Sequence, residues 1–342
     1  MNKFLMPFII SFLATIFFSF AGIYFGKKIK WRGRNSLRHI HRKGVLRIGG
    51  IIMVLVFNGT ILLNNDLVIT PGLLGMMIVS ILLMLVGIWD DFQEMFWQAQ
   101  LLCQVSAAVL VFIIGIRVYF VTNPFTGGII HLNAGVGVIF SMLLVIIWIT
   151  LMINSMNWLD GIDGLSGGVT FIGVLTIFAL SLKPEVNQPP MAIIAIILAG
   201  TALGFLIFNF NPSKILAGTS GSMFMGFSLA VLAIFAGTKI ATALLVMAVP
   251  IADFLWVLFE RIKKKKSIFQ PDKNHLHYRL LALGWSQKKI AVFLYAITLI
   301  LAVISLNTKF IGKGVAISAS FLIVILFLAF VSQKSKKLDA EL

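Results

Sequence analysis

The chain has 342 residues, 59% hydrophobic and only 12% charged, with a mean hydropathy of +1.02. A soluble domain carries about twice that charged fraction, so composition excludes a water-soluble enzyme and indicates a polytopic membrane protein. The net charge of +16 would suggest nucleic acid in a soluble protein. In a membrane protein it marks cytoplasmic loops, and no nucleic-acid partner is expected. The single Cys103 excludes an internal disulfide.

Apolar runs predict eleven spans, near 4–26, 48–64, 69–89, 97–116, 135–153, 165–182, 190–208, 223–237, 239–259, 290–306 and 314–332. The basic cluster follows the first run, so that run reads as an uncleaved helix and not as a signal peptide. With the N-terminus outside, 22 of the 28 Lys and Arg fall on the inner side. That bias favours an odd number of helices with the C-terminus in the cytoplasm. The expected fold is all-α: one polytopic helical bundle over 1–342. Its longest loops, 27–47 and 260–289, are basic and suited to anionic lipid headgroups.

Only twelve residues are acidic. Asp66 and Glu185 fall outside in this topology. Asp90, Asp91, Glu94, Asp160, Asp163 and Asp272 fall at or near the inner face, while Asp253 falls within a span. Acids at a membrane edge are candidates for function. Adjacent carboxylates such as Asp90 and Asp91 repel, and a divalent cation relieves that repulsion.

The segment 154–168 holds Asn154, Asn157, Asp160, Asp163 and four glycines between two apolar runs. Hard oxygen ligands with close backbone approach suit Mg²⁺ and phosphate. Residues 208–222 run from Asn209 through Pro212 to Gly218, Thr219, Gly221 and Ser222. Small residues at a helix start offer free N–H groups to a phosphate. His275 and His277, beside Lys273 and Arg279, suit a diphosphate leaving group. His39 and His41 are weaker candidates in the first loop.

Together these residues resemble the polyprenyl-phosphate N-acetylhexosamine-1-phosphate transferases. The resemblance runs from Arg47-Ile48-Gly49-Gly50 through Asp90-Asp91 and Asn154…Asn157…Asp160-Gly161…Asp163-Gly164. It continues through Asn209…Pro212, Gly218…Gly221-Ser222 and Pro250…Asp253 to His275-Leu276-His277. It is nearer to the branch that starts teichoic acid, O-antigen and similar polymers than to the lipid-I-forming branch. Thr219 stands where the family has an Asp, Tyr278 replaces a His, and Leu46 replaces a Pro.

The resemblance implies transfer of a sugar-1-phosphate, GlcNAc-1-phosphate above all, from a UDP-sugar to undecaprenyl phosphate with release of UMP. It implies Mg²⁺ (or Mn²⁺) at Asp90, Asp91 and Asp163, with Thr219 as a weak ligand. Asp90, Asp91, Asp163, His275 and His277 become the expected catalytic residues. Lys43, Arg47, Asn154, Asn157, Asp160, Gly161, Asn209, Ser222 and Arg279 become the expected substrate contacts. The active-site loops are expected near 27–47, 90–96, 154–164, 209–222 and 260–289, facing the cytoplasm of a bacterial plasma membrane. The expected partners are UDP-N-acetylhexosamine, polyprenyl phosphate and membrane lipids, and a homodimer is compatible with this reading. Thr219 keeps open a homologue that binds without transferring. A secondary transporter is the other alternative, although acids clustered on one face, away from the midplane, argue against it.

Overall fold

A computed structural model describes residues 2–28, 45–122, 128–235, 240–265, 267, 274–308 and 310–341. The described residues form a helical bundle with a single small hairpin, as the composition predicts. The helices are α1 (Asn2–Lys28), α2 (Gly49–Leu62), α3 (Pro71–Phe92), α4 (Trp97–Ile114), α5 (Val136–Leu159), α6 (Leu165–Ser181) and α7 (Pro189–Asn209). They continue with α8 (Gly218–Phe235), α9 (Ile240–Val246), α10 (Ala248–Lys263), α11 (Leu276–Ala282), α12 (Gln287–Asn307) and α13 (Phe310–Glu341). Strands β1 (Phe120–Thr122) and β2 (Ile129–His131) pair antiparallel between α4 and α5.

Eight of these helices are long and apolar enough to cross a membrane, or nine if α9 and α10 count as one span. Each expected span coincides with a helix or with the α9–α10 pair. However, α2 and α6 are shorter than the eight, so helix length does not by itself establish eleven crossings. Leu13, Phe17, Phe20, Ile147 and Leu326 lie exposed on the outside of the bundle. Such a surface belongs in hydrocarbon, where every backbone group must be satisfied within its own helix.

The bundle is organised around α8, whose residues from Ser220 to Ile234 are all buried. α3, α5 and α2 pack against it. Small residues allow close helix approach, as they do in lipid generally. Gly200 and Gly204 of α7 sit against Ser11 and Thr15 of α1.

Three boundaries differ from the sequence reading, and each matters for the site. α5 continues to Leu159, which places Asn154 and Asn157 on its last turns. α8 begins at Gly218, so Thr219 and Ser222 belong to its first turns. The stretch 239–259 is not one straight span, because α9 and α10 meet at a 76° bend. Pro250 lies just past that bend and cannot donate a helical N–H to continue the ladder behind it. Beyond the bend, α10 buries Asp253, Val257, Glu260 and Arg261, while Leu255, Phe259 and Ile262 are exposed. Spacings of three and four residues put the buried set on one helix face.

Candidate active site

Two glycines bring the site's elements together. An added Cβ at Gly87 of α3 would collide with the backbone of Ser220, and one at Gly50 of α2 would collide with Gly221 and the Ser220 hydroxyl. Only glycine lets the three helices meet this closely. The strand-like start of α2 adds register. Leu46 forms a parallel bridge with Ile215, and Gly49 N donates to Leu216 O at 2.9 Å. Arg47 is thereby carried to the N-terminus of α8.

One turn beyond Gly87, Asp90 and Asp91 lie over that same helix start. The Thr219 hydroxyl donates to Asp90 Oδ2 at 2.7 Å. The Thr219 N–H donates to Asp91 Oδ1 at 3.1 Å, and Arg47 pairs with the same oxygen at 3.2 Å. A carboxylate at a helix N-terminus meets free N–H groups and the positive end of the dipole. Gly218, with φ +69°, passes so close to Asp91 that a Cβ there would strike the carboxylate. Asp90 Oδ1 accepts from Met95 N at 3.0 Å and fixes the turn after α3. Asp91 is 4% exposed, and its Oδ2 is buried with no hydrogen-bond partner. Leaving a buried polar atom unmatched costs about 1–3 kcal/mol, so this oxygen is a natural contact for a cation or a donor.

The polar line continues into α5. Ser222 Oγ donates to Asn157 Oδ1 at 3.1 Å. Trp158 follows, with its ring edge-on to His275 at 4.2 Å and Arg261 over its face at 4.7 Å. His275 and His277 are parallel at 6.0 Å. His277 lies against Gly161, where a Cβ would strike its Nε2. Thus Arg47, Asp90, Asp91, Thr219, Ser222, Asn157, Gly161, His277 and His275 form one connected set, drawn from five segments far apart in sequence.

The remaining expected residues hold the frame. Asn209 is 1% exposed. Its Oδ1 accepts from Gly164 N and its Nδ2 donates to Ile215 O, both at 3.0 Å. It is therefore a tether between α6 and the entry to α8, where a substrate contact was expected. Asn154 donates to Gln104 Oε1 at 2.6 Å and to Thr150 O at 2.8 Å. Asp160 accepts from Ser166 Oγ at 2.5 Å. Arg279, expected at the diphosphate, pairs with Glu260 at 2.6 Å and donates to Asn274 O at 2.5 Å in the buried interior.

Asp163 was expected to share a metal with Asp90 and Asp91. Its Oδ2 instead accepts from Asn211 Nδ2 at 2.8 Å and Ser213 N at 3.1 Å, shaping the turn that leads into α8. Among the described residues, no three His, Cys, Asp or Glu converge on one metal position. Lys43, His39, His41 and Asp272 lie outside the described residues.

Several participants carry no clear sequence signal. Tyr295 of α12 donates to Gly164 O at 2.5 Å and packs over Gly168. Gln287 accepts from Asp163 N at 3.0 Å. Arg261 falls in the basic loop 260–289 and stands out from its other cations by no sequence feature. Asp253, placed within a span and named in the resemblance without a role, is brought by the bend before α10 to His275 Nδ1 at 2.9 Å.

The family model described as Glycosyl transferase family 4 matches residues 73–237. A decaprenyl-phosphate N-acetylglucosaminephosphotransferase of Mycobacterium tuberculosis is 30% identical over 289 residues, covering 75% of this chain and 70% of that protein. The chain belongs to glycosyl transferase family 4. A phospho-N-acetylmuramoyl-pentapeptide-transferase of Lactococcus lactis is 30% identical over 309 residues, covering 84% and 92%. A probable undecaprenyl-phosphate N-acetylglucosaminyl 1-phosphate transferase of Bacillus subtilis is 26% identical over 333 residues, covering 95% and 90%. The matched span of the family runs from the start of α3 to the end of α8. It contains the Asp90–Asp91 pair, the 154–168 segment and Thr219, although not Arg47, Asp253 or the histidines.

Proposed function

We propose that this member of the family transfers a sugar-1-phosphate, GlcNAc-1-phosphate first among candidates, from a UDP-sugar to undecaprenyl phosphate at the cytoplasmic face of a bacterial plasma membrane. The names of the relatives support that acceptor class and that sugar. The observation that carries the reading is the Asp90–Asp91 pair held against the N-terminus of α8, with Arg47 beside it.

In the reaction, an oxygen of the lipid phosphate attacks the β-phosphorus of the UDP-sugar. The bond from that phosphorus to the α–β bridging oxygen breaks. UMP leaves with the electron pair, and a polyprenyl diphosphate sugar remains. Both reactants are anions, so the site must supply positive charge and alignment more than covalent chemistry. Arg47 offers N–H donors in a fork that fits phosphate, and the N-terminus of α8 offers backbone N–H groups. Asp90 and Asp91 position the acceptor phosphate. Asn157 and Gly161 line the donor side, and His275 and His277 stand at the diphosphate. The acceptor is held in the membrane, so its phosphate reaches the site at high effective concentration.

A divalent cation fits this donor set. Mg²⁺ is commonly held by one or two carboxylates plus substrate phosphates, and Asp91 Oδ2 is a buried oxygen without a partner. Asp90, Asp91 and the Thr219 hydroxyl would hold it, and it would neutralise charge on the diphosphate.

A second reading has an observation of its own. Thr219 already satisfies Asp90, and Arg47 already pairs with Asp91. A protein that binds the lipid phosphate or the UDP-sugar without transfer would look like this. Release of UMP by purified protein from UDP-GlcNAc and undecaprenyl phosphate, with and without Mg²⁺, separates the two. Binding of both substrates without UMP release would establish the second reading.

A further inference from the structure

Asp253 is a buried carboxylate that the chemistry above leaves unused, and it pairs with His275. His275 is 2% exposed and Asp253 6%. Asp253 Oδ1 accepts from Leu276 N at 2.8 Å, which secures the start of α11. Its other oxygen takes the His275 Nδ1 contact at 2.9 Å. Securing α11 needs only the first of these bonds. The second fixes the imidazole.

An ionised carboxylate only accepts, so Nδ1 must be the donor. An imidazole protonated at both nitrogens donates from both. Nε2 is buried and has no hydrogen-bond partner. The edge-on face of Trp158 and the parallel His277 ring clamp the imidazole from two sides. Asp253 from α10 and His277 from α11 face this ring directly, with Arg261 over the Trp158 ring and Tyr278 against His277. The Glu260–Arg279 pair lies behind them.

We propose that Asp253 is a positioning residue for the transfer. It holds His275 so that Nε2–H donates to an oxygen of the sugar nucleotide's diphosphate. The proposal rests on the reaction read above. A phosphate oxygen would supply the partner that Nε2 lacks, in a charge-assisted bond. The bend between α9 and α10 serves this arrangement, because a straight span would carry Asp253 away from α11.

The test uses the full chain in detergent, assayed for UMP release from UDP-GlcNAc and undecaprenyl phosphate. Asp253→Asn keeps an oxygen for Leu276 N but turns an N–H toward Nδ1, so the Nδ1–H loses its acceptor and the ring its anchor. The expected result is a fall in kcat of about 10²-fold, the usual loss of one transition-state donor, with KM for the UDP-sugar changed less than about threefold. In a His275→Gln background the same substitution should lower kcat less than about twofold, because the two residues act as a unit. Asp253→Glu should recover part of the rate. If Asp253→Asn does not fold, Asp253→Glu carries the cycle: a smaller fall in kcat in the wild-type background, and less than about a twofold fall in the His275→Gln background. Additive losses, or wild-type kcat in Asp253→Asn, overturn the proposal. If the wild type releases no UMP, the transfer reading fails separately. Positioning is then read from thermal stabilisation by UDP-GlcNAc, which Asp253→Asn and His275→Gln should reduce equally. Undiminished stabilisation in Asp253→Asn overturns the proposal there too.

Discussion

Thr219 donates its hydroxyl to Asp90 and its backbone N–H to Asp91, so one residue at the start of α8 engages both carboxylates of the pair. Among the described residues, the two acids are held by a neutral side chain and one cation, Arg47. Affinity for a hard cation follows the number of charged ligands.

Thr219→Asp should therefore lower the Mg²⁺ concentration for half-maximal UMP release about tenfold, equivalent to about 1.4 kcal/mol of binding. Without metal the same variant should melt at a lower temperature, because three carboxylates then repel one another. A Mg²⁺ titration of activity and of Tm in both proteins checks it. An unchanged Mg²⁺ requirement would show that the position is adapted to Thr and not a vacant ligand.

Gly87→Ala should cost about 1–3 kcal/mol by overpacking and should also lower turnover, since a Cβ there pushes Asp90 and Asp91 away from Thr219. Gly59 in α2 is the control. A Cβ there meets nothing within 4 Å, and Gly→Ala in a helix gains up to about 1 kcal/mol. Thermal melts of both variants in detergent test the contrast.

The buried Arg279–Glu260 pair, which also receives Ser332 Oγ at 3.0 Å on Glu260, ties α10 and α11 to α13. Arg279→Met should destabilise the protein by about 3–5 kcal/mol, because a buried charge is stranded. Adding Glu260→Leu should return most of that loss. A loss in UDP-sugar affinity without a loss in stability would instead give Arg279 the substrate role expected from sequence.

The charge bias predicts the N-terminus outside and the C-terminus inside. Reporter fusions after residues 30, 183 and 266 should report inside, outside and inside. Residue 183 on the same side as the other two would refute the orientation.

The fold class was legible because apolar runs and few charges leave a helical membrane protein as the only solution. The core motif was legible as well. Asp90, Asp91, Thr219, Ser222, Asn157, Gly161 and both histidines do come together. What sequence could not give was the internal hydrogen-bond partner of each polar residue. Asn209, Asp163 and Arg279 are polar residues in the right motifs, yet their bonds go to Gly164 and Ile215, to the 211–213 turn, and to Glu260. Apolar periodicity also cannot mark a bend inside a continuous run. For that reason α10 was read as part of one span, 239–259, with Asp253 inside it and no partner assigned.

The most direct test measures Mg²⁺-dependent UMP release by purified wild type, Asp91→Asn and Asp66→Asn, with folding checked by thermal melt. Asp91 touches Thr219 and Arg47, whereas Asp66 is exposed in the loop before α3. The account predicts UMP release by the wild type, its loss with a chelator, a fall of at least about 10²-fold in Asp91→Asn, and no change in Asp66→Asn. Near-wild-type turnover in a folded Asp91→Asn protein would contradict it.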